Sequence, residues 1–130
     1  MGIDPSDVES LEPPDGGAGL SATVERGTAG VRVVLDGELD YATAPRLREV
    51  VAGLSYARGQ EVELDLTGLS FLDLPGLRVL VEVRRTVEEA GGHLRLHGAG
   101  SQPRWLARLV GLENFLDIDD GDGHRARRDP

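Results

Sequence analysis

The sequence predicts an α/β fold: one domain on a mixed β-sheet of 4-5 strands, in the order ββαβαβα, with helices packed on the sheet. Three observations carry that reading. Short β-type runs alternate with segments whose apolar residues recur at helical spacing. Gly and Pro punctuate the joins between them. The 130 residues are 39% hydrophobic with few aromatics, which suits one aliphatic core and leaves no room for a second domain.

In chain order, Met1 to Gly19 holds five acidic residues, no basic one and three prolines. Such a stretch buries too little apolar surface to order itself, so residues 1–19 read as a disordered acidic tail and the domain proper as residues 20–119. Ala22 and Val24, then Val31, Val33, Val34 and Leu35, form two strands joined by Arg26-Gly27-Thr28-Ala29-Gly30 as a hairpin. Gly37 to Pro45 leads into a helix with Thr43 as N-cap and Pro45 in the first turn; Leu47, Val50, Val51 and Leu54 make its apolar face, ending near Arg58-Gly59.

Glu61 to Leu66 alternates strictly, with Val62, Leu64 and Leu66 inward. Its acids mark a wetter face more simply than a metal or acid/base site. A second helix runs from Asp73 to about Ala90, buries Leu77, Leu80, Val83 and Val87, pairs Glu82 with Arg85, and stops at Gly91-Gly92. His93 to His97 is a strand; its two histidines, about 13 Å apart at 3.3 Å per residue, do not share a metal. Pro103 to Val110 is a short helix with Leu106, Leu109 and Val110 as its apolar side and Trp105 at a half-buried edge. Leu112 to Leu116 leads to a short final strand. The acidic run from Asp117 to Gly123 lacks the closing glutamate of a calcium loop, and residues 120–130 read as a second disordered tail.

Composition excludes several functions. A net charge of −9 opposes general nucleic-acid binding. There is no cysteine for disulfides or thiolate metal sites, and no apolar run long enough to insert in a membrane. No phosphate-binding glycine loop and no serine–histidine–acid set is present. The expectation is a cytoplasmic, non-enzymatic protein without cofactor or metal.

The chemistry concentrates at Phe71-Leu72-Asp73-Leu74-Pro75-Gly76-Leu77, where a buried strand hands over to a helix. Asp73 is a natural N-cap, Pro75 fits the first turn and Gly76 admits close backbone approach. Loops at the carboxyl ends of parallel strands are where open sheets of this kind carry sites.

Several words in this order resemble the STAS family, anti-sigma factor antagonist type. They are Gly37-Glu38-Leu39-Asp40, Ala42 to Leu47, Leu64 to Asp73, Gly76-Leu77, Ala90-Gly91-Gly92 and Leu109 to Leu112. The resemblance spans about Leu20 to Asp119 and implies a module without catalysis that binds an anti-sigma factor, often a serine kinase, and thereby controls transcription. It implies a docking surface of Glu38, Asp40, Tyr41, Thr43, Asp73, Leu74, Pro75, Gly76 and Leu77. The family's Asp-Ser-Ser-Gly becomes Asp73-Leu74-Pro75-Gly76 here. Pro75 takes the place of the phosphorylated serine and has no hydroxyl, so the family's switch cannot act there. A second expectation, motivated by the apolar Leu74-Pro75 pair, is a scaffold or accessory subunit of a stress-sensing or transporter complex, with other STAS proteins as partners. A monomer or weak dimer is expected.

Overall fold

In the computed structural model, residues 8–11 and 19–117 are described. Strands β1 (Val8–Leu11), β2 (Leu20–Arg26), β3 (Gly30–Leu39), β4 (Glu61–Leu72) and β5 (His93–His97) lie side by side in sequence order. The first three pair antiparallel, and β3–β4 and β4–β5 pair parallel. Helices α1 (Ala44–Ala52) and α2 (Leu74–Glu89) are the two parallel crossovers; α3 (Ser101–Leu109) and a 3-10 turn (Phe115–Asp117) follow β5. From Leu20 onward the elements run ββαβαβα, as the sequence predicts.

Alternation builds the core. Leu20, Ala22 and Val24 of β2, Val31, Val33 and Leu35 of β3, Val62, Leu64 and Leu66 of β4, and Leu94 and Leu96 of β5 are all buried. Leu47, Val50 and Val51 of α1 and Leu77, Leu80, Val83 and Val87 of α2 close over them at helical spacing.

The structure corrects several expectations. Val8–Leu11 lies within the expected tail yet pairs with β2, Val8 opposite Glu25 and Leu11 opposite Ala22. A free sheet edge supplies backbone partners that a composition argument does not see. The rest of that tail, and residues 118–130, lie outside the described residues. Strand β4 runs on to Leu72 instead of ending at Leu66, because two register shifts in its pairing with β3 let the ladder resume past Thr67-Gly68. Helix α1 ends at Ala52, before Arg58-Gly59. Phe115–Asp117 is a 3-10 turn, not a strand, and its Phe115 and Leu116 are buried. Helix α3 buries Pro103 and Ala107, whereas Leu109 and Val110 face solvent and Trp105 is 52% exposed. Glu82 pairs across to Arg48 of α1 (2.9 Å) instead of with Arg85.

The alternating acids of β4 do face the wetter side, with one exception. Asp65 is 7% exposed and hydrogen-bonded to Arg32 on the neighbouring strand, and it also accepts from Thr67 N–H at 2.9 Å. Burial pushes its carboxyl up, but the bonds from Thr67 and Arg32 together outweigh this and hold it below its ordinary 3.8.

Where β4 meets α2, backbone touches backbone. A Cβ on Gly76 would stand 2.3 Å from the carbonyl oxygen of Leu39 at the end of β3. Gly76→Ala is therefore expected to cost about 1–3 kcal/mol in denaturant unfolding. Gly53→Ala, whose added carbon meets only ordinary contacts at 3.7 Å, should be near neutral. Equal effects at the two sites would contradict this packing.

A depressed Asp65 pKa stabilises the fold above its unfolded value, and that contribution is lost as pH falls through the lower folded value. Melts from about pH 6 to about pH 2.5 check this. Asp65→Asn, weaker by about 1–3 kcal/mol near neutrality, should lose less of its remaining stability on the acid limb than the wild type. Parallel acid limbs would contradict it.

Candidate functional site

Because β3 and β4 are parallel neighbours, the loops that leave their carboxyl ends emerge side by side. Both strands end in a buried leucine followed by an aspartate: Leu39-Asp40 and Leu72-Asp73. Each aspartate organises the loop behind it.

Asp73 caps α2 as its sequence position predicts, with Oδ1 accepting from Gly76 N–H at 2.8 Å. Its other oxygen leaves the helix: Oδ2 accepts from Tyr41 N–H, 32 positions earlier, at 3.0 Å. One carboxylate thus ties the start of α2 to the loop before α1, and Asp73 N–H donates to Leu39 O at 3.3 Å alongside.

The first loop is closed by Asp40 and Thr43. Asp40 Oδ1 accepts from the N–H groups of Ala42 and Thr43, both at 3.0 Å. The Thr43 hydroxyl accepts from Asp40 N–H and donates to Glu38 O, each at 2.9 Å. Thr43 therefore occupies the N-cap position of α1 without capping it, since its oxygen is spent on the loop. Gln102 of α3 braces the second loop from behind, exchanging both amide groups with the backbone of Leu72 at 2.9 Å.

The residues expected on the surface divide by this geometry. Tyr41 is 78% and Leu74 47% exposed, and Glu38 is exposed. Asp40, Thr43 and Asp73 are half-buried and shape the loops; Pro75 is half-buried and lines the gap between the helix starts. Gly76 is buried and offers its N–H to Asp73. Leu77 is 1% exposed, so its side chain serves the core and leaves the surface set.

Between the two helix starts lies a cleft of about 490 Å³ lined by Tyr41, Ala42, Ala44, Pro45, Arg48, Pro75 and Arg78. Its two arginines are missing from the sequence-based set, although a signal for them exists. Pro45-Arg46-Leu47-Arg48 and Pro75-Gly76-Leu77-Arg78 share the pattern Pro-x-Leu-Arg, each in the first turns of a helix that starts beside the other. In both, the leucine is buried and the arginine exposed. Among the described residues no group of three or more potential metal ligands occurs, and no helix is long and apolar enough to cross a membrane.

Comparison with known proteins places this geometry. Residues 22–117 match the family model described as "Mlab, STAS domain". The anti-sigma-B factor antagonist of Bacillus subtilis is 29% identical over 99 residues, covering 76% of this chain and 90% of that protein. A crystal structure of an anti-sigma factor antagonist from Mycobacterium paratuberculosis superposes with a TM-score of 0.60 at 26% identity, over 81% of this chain and 86% of the other. The Bacillus antagonist SpoIIAA in its unphosphorylated form shares the fold, with a TM-score of 0.61 at 21% identity over 81% and 91% of the two chains. Matched over most of its length and carrying the two joined loops at one end of its sheet, the chain belongs to the STAS domain family.

Proposed function

We propose that this chain is a non-catalytic regulatory protein, an anti-sigma factor antagonist that docks on a serine-kinase-type anti-sigma factor and so controls transcription by a sigma factor. The relatives named above as antagonists of anti-sigma factors support the class of partner. The observation that carries the reading is the Asp73 carboxylate, bonded to both Gly76 and Tyr41. It makes one continuous, pre-ordered surface from the Glu38–Thr43 loop and the first turn of α2, so a partner meets no ordering cost there.

Pro75 sits in that first turn and carries no hydroxyl. A kinase partner therefore has nothing to phosphorylate at this position, and the complex persists in ATP. Adding a phosphate at a docked surface introduces charge and bulk that normally weaken the contact. Without that step the protein is an antagonist held in its binding form.

A second reading has one observation in its favour. Tyr41, Phe71 and Leu74 are 78%, 40% and 47% exposed, an apolar set at the loop end of the sheet that suits a permanent contact in a STAS scaffold or transporter accessory subunit.

The test is binding to a serine-kinase-type anti-sigma factor of the same organism, with and without ATP, for the wild type and Pro75→Ser. The wild type should bind equally in both conditions and stay unmodified at residue 75; the variant should be phosphorylated and lose affinity by about tenfold or more. Absence of binding to every such kinase, with stable capture of another STAS protein, would move the function to the scaffold reading.

A further inference from the structure

The molecule carries a net charge of −9, yet its two crossover helices hold five arginines against four glutamates. Arg48 bonds to Glu82 across the two helices, and Arg78 and Arg85 lie close enough for their fields to reach the same carboxylate. The hydrogen bond from Arg48, and then the fields of Arg48, Arg78 and Arg85, hold Glu82 below the usual carboxylate range. Glu82 takes two bonds from Arg48, from Nε at 2.9 Å and from Nη2 at 3.4 Å. Arg48 is thereby paired, whereas Arg78 acts on Glu82 only through its field and has no hydrogen bond or ion pair within 4 Å among the described residues.

Arg78 lines the cleft between the helix starts together with Tyr41, Pro45 and Pro75. At the same end of the sheet Asp73 is hydrogen-bonded to Gly76 and Tyr41, and Asp40 to Ala42 and Thr43. The first turns of α1 and α2 add the positive ends of two helix dipoles to the same opening. A planar guanidinium beside apolar walls matches a carboxylate with an aliphatic stem better than it matches a cation or a neutral group.

We propose that this cleft receives a glutamate or aspartate side chain of the bound protein partner, with Arg78 as its counter-ion. The inference rests on the reading of the joined loops as a protein-docking surface and deepens it by naming the partner group that enters. Tyr41 and Pro45 pack on the stem of the entering side chain, and Arg78 forms the paired bonds to its oxygens.

The cleft is tested first without any partner. The nitrogen-15-labelled protein is titrated with N-acetyl-glutamate methylamide, with the glutamine analogue as control and inorganic phosphate and ATP as competing probes. Binding on the order of millimolar, with shifts confined to the Arg78 side chain and the Tyr41 and Ala42 amides, is expected for the glutamate probe and not for glutamine. Arg78→Gln should abolish it. Equal shifts from glutamine, no shift at Arg78, or phosphate or ATP binding there about tenfold tighter would each overturn the proposal.

A second arm uses the anti-sigma factor. Arg78→Glu should weaken the complex about tenfold or more, and arginine in place of the entering partner acid should restore it. Unchanged binding by Arg78→Glu overturns the cleft while leaving the docking surface intact. Failure of the wild type itself to bind fails the functional reading, and the titration alone then decides the cleft.

Discussion

The carboxylate of Asp73 is the constraint on which the functional end of this molecule depends. Its two oxygens do different work: one completes the N-terminus of α2, and the other reaches the backbone of Tyr41 in the preceding crossover. Parallel pairing of β3 and β4 brings the loops within reach, and Gly76 lets them approach until backbone meets backbone. Without the carboxylate, the helix would lose a cap worth about 1 kcal/mol, and the Tyr41 loop would lose its tie to the neighbouring strand end.

This arrangement makes a binding surface out of ordinary helix-start chemistry. Asp73 spends both carboxylate oxygens, and Asp40 its Oδ1, on backbone N–H groups, so both carboxylates are turned toward the loops they organise. The exposed groups are Glu38, the apolar faces of Tyr41 and Leu74, and the side chains of Arg48 and Arg78. The same logic holds on the strands, where Arg32 is shared among Glu25, Glu63 and Asp65. Net charge alone therefore describes the surface poorly: Asp40 and Asp73 are turned into their loops, and two arginines line the cleft between the helix starts.

Local periodicity made most of the fold legible. The strict alternation of Glu61 to Leu66 and the helical spacing of Leu77, Leu80, Val83 and Val87 fix which faces are buried, because those signals need no distant partner. Three of the misses depend on distant partners. β1 exists by pairing with an edge, β4 continues past Gly68 by pairing across a bulge, and Glu82 chooses Arg48, 34 positions away, over a neighbour one helical turn along. Thr43 has the right residue type for a cap, but its hydroxyl is drawn into the Asp40 loop. At the site, Asp73 as a cap was readable from the sequence. Its second bond to Tyr41 was not, and Leu77, readable as a core residue from its helical spacing, did not also belong to the surface set. The arginines of the cleft follow from the paired Pro-x-Leu-Arg words only once the two helix starts are known to be neighbours.

The most direct measurement is amide hydrogen exchange by NMR at Tyr41 and Gly76, compared between the wild type and Asp73→Ala. If one carboxylate holds both loops, both amides lose protection together in the variant, while the Ala42 and Thr43 amides, bonded to Asp40, change less. Loss of protection at Gly76 alone, with Tyr41 unaffected, would show that Asp73 is only a helix cap and that the two loops are joined by something else.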